Sequence, residues 1–453
     1  MNDNGNITGK TLIAIDLGSS LIRMMAAVIT QDDRLKVLGI ETEACPDGSM
    51  RYGTVINSSE VAMHITRCHK ALVNLVKSRH NIDVDGSPVF VSLGSRHSQV
   101  VHIAQRQELK NRRVSQNTFD ELRAKCRDKF LKEHQGAHVY NITCYRVVLN
   151  KSAQYMSYAE TLDKTATHIE ADYFLVIDKS DKHDYIDRNT MRQTGKIQPK
   201  QYFSKAEALS SALLTDKDKL DGSVIIDFGA QTTTLYIYKD NQLRRLDTVR
   251  LGGDTISNDL ATSCYLTRDM AERLKTVYVD ISSGAPRKKY RIINCNDGQP
   301  MYVESPVLQG MVTMRLEEIM EPLFGLISEH ADFAGAKIYL CGGASQLEGL
   351  EEYVRDHTGM DVKFGSHDAW LTDDTPEEYC DPTYSMLVGT LACGMEHLKN
   401  QQEQEQDKKD TGKDKKKGGI WKKFLDFAEK EMDDLFSDYE DNENTTDKKS
   451  PKA

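Results

Sequence analysis

Two aspartates, each closing an apolar strand and each followed two positions on by a glycine, are the residues of this sequence best placed to handle phosphate. The first lies in Leu12-Ile13-Ala14-Ile15-Asp16-Leu17-Gly18-Ser19-Ser20, the second in Val224-Ile225-Ile226-Asp227-Phe228-Gly229-Ala230-Gln231-Thr232-Thr233-Thr234. A tight Gly/Ser/Thr turn points backbone N–H groups at phosphate oxygens, and a carboxylate at the strand end holds Mg²⁺ through water. One such turn is equally an ordinary hairpin. Two of them, followed by Lys337-Ile338-Tyr339-Leu340-Cys341 running into Gly342-Gly343-Ala344-Ser345, read as parts of one site.

Each Asp–Gly segment predicts a β-hairpin meander followed by helices, which implies an internal duplication and an α/β fold. Between the two, Val61, Ile65, Cys68, Leu72 and Val76 recur at helical spacing and predict a helix over 59–79 with Ser58 or Ser59 as its cap. From Pro88 to Asp178 the texture changes to strands around one helix opened by Ser115. This reads as an inserted α+β subdomain that includes Val89-Phe90-Val91. The resulting division is a first lobe at 1–87, the insertion at 88–178, a return to the first lobe at 179–221, and the second lobe at 222–253. A small subdomain of that lobe follows at 254–306, the rest of the lobe at 307–365, and a closing segment to the first lobe at 366–399. Residues 400–417, rich in Gln, Glu, Asp and Lys, bury too little to fold and are expected to be a linker.

The 453 residues carry 59 Lys+Arg against 69 Asp+Glu, a formal charge of −10, which argues against nucleic acid as a partner. Nine cysteines without a C-x-x-C pair give neither a disulfide framework nor a zinc site. The polar N-terminus and the lack of a long uncharged apolar run predict a chain that is neither exported nor membrane-spanning.

The end of the chain is of another kind. Over 418–436, Ile420, Trp421, Phe424, Leu425, Phe427, Ala428, Met432, Leu435 and Phe436 fall on one half of a helical wheel. Six lysines and one Asp lie over 413–423, and five acids and one Lys over 426–436. An apolar face carrying Trp and Phe, with lysines such as Lys422 and Lys423 at one end, is the pattern of a helix lying in a membrane interface. The other readings are a helix packed on its own core and one docked in a partner's groove. Residues 437–453 read as a disordered tail.

The order of the two hairpins and the Gly-Gly turn resembles the actin/Hsp70/sugar-kinase superfamily. Within it the sequence is most similar to the FtsA family of bacterial cell-division proteins. That resemblance rests on Leu251-Gly252-Gly253-Asp254-Thr255-Ile256, on Leu340 to Leu350, and on Tyr384-Ser385-Met386-Leu387-Val388-Gly389-Thr390-Leu391. It implies a two-lobed actin-like ATPase fold that binds ATP and Mg²⁺. Asp16 and Asp227 would organise Mg²⁺ and the attacking water, and Gly18, Ser19, Ser20, Gly229, Thr232 and Thr233 would cradle phosphates. Gly252, Gly253, Gly342, Gly343 and Ser345 would flank the nucleoside. Glu272 and Lys275 match positions that meet ribose and adenine, or else belong to a solvated helix face. Glu207, in Ser204-Lys205-Ala206-Glu207-Ala208, is a candidate for positioning water.

Two departures from the family pattern bear on binding and on turnover, which is at most that of a weak ATPase: Ala230 and Gln231 stand where the family's second loop carries glycines. The resemblance also implies filaments on the cytoplasmic face of the inner membrane at the division site. FtsZ would be held by the 254–306 subdomain, and self-contacts and other divisome proteins would be met by the insertion. Arg287-Lys288-Lys289-Tyr290-Arg291 is either an acidic-peptide site or a solvated turn. The alternatives are an actin-fold protein of pilus assembly and a kinase of the same superfamily.

Overall fold

Apolar runs that stay buried along their whole length make the centre of each lobe. The computed structural model describes residues 9–94, 96–179, 186–329 and 335–410. In the first lobe β1 (Thr11–Leu17), β2 (Leu21–Ile29) and β3 (Leu35–Ala44) form an antiparallel meander, and a short ribbon follows, β4 (Met50–Arg51) with β5 (Thr54–Val55). Helix α1 (Ser58–His80) then covers the sheet with Val61, Ile65, Cys68, Leu72 and Val76. Its cap is Asn57, not Ser58 or Ser59: the Asn57 side chain accepts from the Glu60 amide.

After α1 comes β6 (Val89–Leu93), which pairs in parallel with β1. This corrects the expectation for Val89–Val91, because β6 belongs to the first-lobe sheet and the insertion starts beyond it. The insertion itself holds β7 (Ser98–Arg113), α2 (Gln116–Glu133), β8 (His138–Leu149), β9 (Ala153–Tyr155) and β10 (Thr165–Asp178), with sheet order β7-β10-β8-β9. Phe119, Leu122, Cys126 and Phe130 on one stripe of α2 fill the core under that sheet. The chain rejoins the first sheet through β11 (Pro199–Ser204), parallel to β6, and runs into α3 (Lys205–Leu213) and α4 (Asp216–Asp221).

The second lobe repeats the plan. Strands β12 (Ser223–Phe228), β13 (Thr233–Lys239) and β14 (Gln242–Val249) form a second meander. Helices α5 (Gly253–Ser263) and α6 (Arg268–Tyr278), the hairpin β15 (Lys289–Ile293) with β16 (Pro300–Glu304), and α7 (Ser305–Ser328) follow. Strand β17 (Lys337–Cys341) then pairs in parallel with β12, and β18 (Asp361–Phe364), reached through α8 (Leu350–Thr358), pairs with β17. Read from the meander outward, the two sheets have one order: β3-β2-β1-β6-β11 and β14-β13-β12-β17-β18. The duplication inferred from two short motifs is therefore a duplication of whole sheets.

Between the lobes runs α3. Its Ala206, Ala208, Leu209, Ala212 and Leu213 share a core with Ile225, Tyr236, Tyr238, Tyr339 and Cys341 of the second sheet. The chain returns to the first lobe where Thr372 N–H donates to Leu35 O and Trp370 Nε1 to Ser211 O. It then enters α9 (Ser385–Asp410). A Cβ at Gly389 would lie 1.9 Å from Ala208 O, so α9 crosses α3 backbone against backbone. Helix α9 continues to Asp410, into the stretch that composition reads as linker. The amphipathic segment 418–436, with Ile420, Trp421, Lys422, Lys423, Phe424, Leu425 and Phe427, lies outside the described residues. No helix among the described residues is long and apolar enough to cross a membrane.

Candidate functional site

The two meanders place Asp16 and Asp227 at equivalent positions. Asp16 stands opposite Arg23 on β2 and Ser92 on β6; Asp227 stands opposite Thr234 on β13 and Cys341 on β17. Each hairpin turn is closed by a glycine amide donating three residues on, Gly18 to Leu21 O at 3.1 Å and Gly229 to Thr232 O at 2.9 Å. The turns face one cleft of about 720 Å³. Of the residues singled out from sequence, Asp16, Gly18, Ser19, Ser20, Asp227, Gly229, Thr232, Gly253, Glu272, Lys275, Gly342 and Gly343 line it.

Three others support the lining from behind. The Thr233 hydroxyl, fully buried, donates to Leu251 O at 2.9 Å, and Ser345 Oγ donates to Gly342 O at 2.7 Å. Gly252 presses on the second loop, where a Cβ would come 2.5 Å from Gly229 O. Gly342 has φ +89 and would set a Cβ 2.5 Å from Asp227 Oδ1, so only glycine lets the chain pass this carboxylate.

Glu207 is not brought to the cleft. Ser204, Lys205, Ala206 and Leu209 line it, while Glu207 sits two residues, or about 200°, around α3 from Lys205. The solvated-face reading of Lys275 is also overturned, since that residue is 6% exposed. Its ammonium donates to Gly253 O at 3.1 Å, Ser257 Oγ at 3.0 Å and Glu272 Oε2 at 2.8 Å, which takes up all three protons.

Sequence reasoning missed the cations on the cleft floor. Arg23 lies 4.0 Å and Lys205 3.9 Å from the Asp16 carboxylate. Arg23 was within reach, because a closed turn from Gly18 to Leu21 puts it opposite Asp16; nothing local marks Lys205. Burial pushes the Asp227 carboxyl up to about 6, opposed by Lys205 and reinforced by Asp16. At the mouth three contacts join the lobes. Gln231 Oε1 accepts from Tyr52 N–H at 3.1 Å, Ser20 Oγ donates to Asp254 Oδ1 at 3.4 Å, and Arg268 bridges Asp254 at 2.6 Å and Asp47 at 3.6 Å.

The site fits a phosphorylated ligand on two counts. Asp16 Oδ1 is buried with no hydrogen-bond partner, and the amides of Ser19, Ser20, Ala230 and Gln231 donate to nothing among the described residues. The buried carboxylate oxygen is costly unless something binds it, and the amides facing the cleft are open to a ligand. No group of three or more His, Cys, Asp or Glu that could hold a metal occurs among the described residues, so a divalent ion here would need phosphate oxygens or water as further ligands.

A sequence model of the family described as Cell division protein FtsA matches residues 224–389. The cell division protein FtsA of Pseudomonas aeruginosa is 21% identical over 397 residues, 86% of this chain and 90% of that protein. Among solved structures, a PilM-PilN type IV pilus biogenesis complex superposes with a TM-score of 0.60 at 14% identity, covering 85% of this chain and 98% of that one. MreB5 of Spiroplasma citri bound to ADP gives 0.51 at 12% identity, covering 87% and 99%. The structural likenesses speak to fold alone; the sequence matches carry the relationship. With its duplicated sheets and facing hairpins the chain carries the actin-like fold, and in sequence it is similar to the cell division protein FtsA.

Proposed function

We propose that this chain binds ATP with Mg²⁺ in the cleft and acts as an actin-like tether that polymerises on the cytoplasmic face of the inner membrane and holds FtsZ there. The observation that carries the nucleotide reading is the pair of facing loops with open amides beside an unsatisfied buried carboxylate. Ser19, Ser20, Ala230 and Gln231 would donate to phosphate oxygens, and Asp16 and Asp227 would hold the hydrated Mg²⁺, which when bound offsets phosphate charge. Gly343, Glu272 and the Lys275 network would border the nucleoside. The ADP in MreB5 of Spiroplasma citri supports the same use of this fold.

For FtsZ, the small subdomain at 254–306 exposes Tyr302, 60% accessible, which pairs with Arg291 across the hairpin and has the Lys289 ammonium 5.1 Å from its ring centroid. Arg287 and Lys288 immediately precede β15 in the chain. Apolar and cationic groups together suit an acidic peptide with apolar anchors. The 418–436 segment, folded as the amphipathic helix that its periodicity implies, would supply the membrane contact. Each of its large apolar side chains contributes ~1.5–3 kcal/mol at full burial, and each lysine about 1 kcal/mol near anionic lipid. Such binding is reversible for one chain and firm for a filament presenting many. The insertion would meet neighbouring protomers and other division proteins.

Liposome co-sedimentation of the full chain and of a chain lacking 418–436, each with ATP and with ADP, tests this. Pelleting should need the helix and increase with ATP. Pelleting that survives the deletion would remove the anchor from this segment.

A further inference from the structure

We propose that Lys205 reads the terminal phosphate, so that the cleft favours a nucleoside triphosphate over a diphosphate; this rests on the nucleotide reading above. Lys205 opens α3 directly after β11, with Ser204 Oγ capping the helix by accepting from the Glu207 amide at 3.1 Å. Its stem runs along Gly94, where a Cβ would come within 3.1–3.2 Å of the Lys205 Cγ, Cβ and Cδ. Gly94 is therefore a slot that lets the side chain reach the floor.

There its ammonium sits 3.9 Å from Asp16 Oδ1, too far for a hydrogen bond, and close enough to Asp227 to act on that carboxyl as well. The other cations of the cleft are committed. Lys275 spends its three protons on Gly253, Ser257 and Glu272, Arg268 is paired with Asp254 and Asp47, and Arg23 points to Thr383 O at 3.5 Å as well as to Asp16. Among the described residues, Lys205 is the lining cation that makes no hydrogen bond.

A phosphate chain held by the Ser19–Ser20 and Ala230–Gln231 amides would bring its last group toward two carboxylates. That approach is repulsive unless a cation faces the added charge. An ammonium with open donors on the floor supplies this for the third phosphate, which a diphosphate lacks.

Calorimetric titration of the full chain with ATP and with ADP, both in Mg²⁺, decides the matter. Lys205→Gln should lower ATP affinity about tenfold or more and leave ADP affinity within about twofold, while Lys205→Arg keeps most of the ATP preference. An equal loss for both nucleotides, or an unchanged ATP-to-ADP ratio, overturns the assignment. Should Lys205→Gln fail to fold, Gly94→Ala, which crowds the stem, must shift ATP more than ADP. A wild-type chain that binds neither nucleotide overturns the nucleotide reading and this inference with it.

Discussion

Asp16 and Asp227 end the same strand of two sheets with the same order, yet the loops after them are finished differently. The first loop, Gly18-Ser19-Ser20, carries short hydroxyl side chains that make only long hydrogen bonds. Ser19 Oγ accepts from the Gly53 amide at 3.4 Å within the lobe, and Ser20 reaches only the Asp254 carboxylate. The second loop carries a long amide side chain that crosses to Tyr52, a residue whose ring is itself flanked by Arg51 and Arg96 at 5.4 Å. Its carbonyls are also engaged, accepting from Gly253 N–H at 3.0 Å and Asp254 N–H at 2.8 Å, which removes two amides of the α5 N-terminus from any ligand. A duplicated scaffold thus ties its lobes unequally: the first loop crosses only through the long Ser20–Asp254 contact, while the second crosses through the Gln231 side chain and has two of its carbonyls engaged as well.

The largest effect expected is on ATP affinity. Asp16→Ala and Asp227→Ala should each cost roughly tenfold to a hundredfold in Mg²⁺, measured by calorimetry. Loss in one alone would break the equivalence of the two hairpins, and loss in neither would sink the site. Next comes packing within the turns. A Cβ at Gly18 meets Leu21 O at 2.7 Å, whereas at Gly229 it meets Thr232 O at 3.0 Å. Gly18→Ala should cost about 1–2 kcal/mol in thermal unfolding and Gly229→Ala about half of that. Equal costs would mean that the turns relax independently of these contacts.

Acid–base behaviour sharpens the contrast further. With Asp227 raised from 3.8 to about 6, the folded ligand-free chain holds this proton more tightly than the unfolded one. The associated stability is present at acid pH and is lost as pH rises through 6. Asp227→Asn should therefore raise the melting temperature at pH 7.5 more than at pH 5, by the equivalent of about 1–2 kcal/mol after allowing for the open side of the cleft. A pH-independent change would remove burial as the cause. The smallest effect belongs to Ala230→Gly with Gln231→Gly. Phosphate binding should hold or improve, and the Tyr52 amide should exchange with solvent a few times faster. A sharp loss of ATP affinity would show instead that the Gln231 side chain serves the ligand.

How much of this was legible in the sequence follows from how local each feature is. Asp16, Gly18, Asp227, Gly229 and Gly342 announce themselves because the turn chemistry is carried within a few residues. The helix over Val61 to Val76 follows from periodicity alone. Strand β6 was assigned to the wrong sheet because Val89–Val91 is apolar on both faces in either setting, and its parallel partner β1 lies on the far side of α1. Glu207 was preferred over Lys205 by residue type. Only the start of α3 at Lys205 fixes which of them faces the cleft. Asp254 and Arg268 could not be tied to Ser20 and Asp47 without knowing that the lobes meet there.

The crossing of α3 and α9 at Ala208 and Gly389 has a mechanical consequence. Backbone meets backbone there with no side chain between, so the contact behaves as a stiff pivot: it tolerates rotation of one helix on the other and resists sliding or compression. Lys205 lies one turn of α3 from that pivot, and the Ser92 and Thr390 hydroxyls, 2.7 Å apart, pin α9 to the first sheet beside it. A load applied to the Lys205 end of α3 would then be expected to tilt the second sheet, whose core α3 shares, before it repacks side chains at the crossing. Gly389→Ala would wedge the pivot open. A variant with unchanged thermal stability and unchanged coupling between nucleotide state and amide exchange along α3 would show that the joint is softer than its geometry implies.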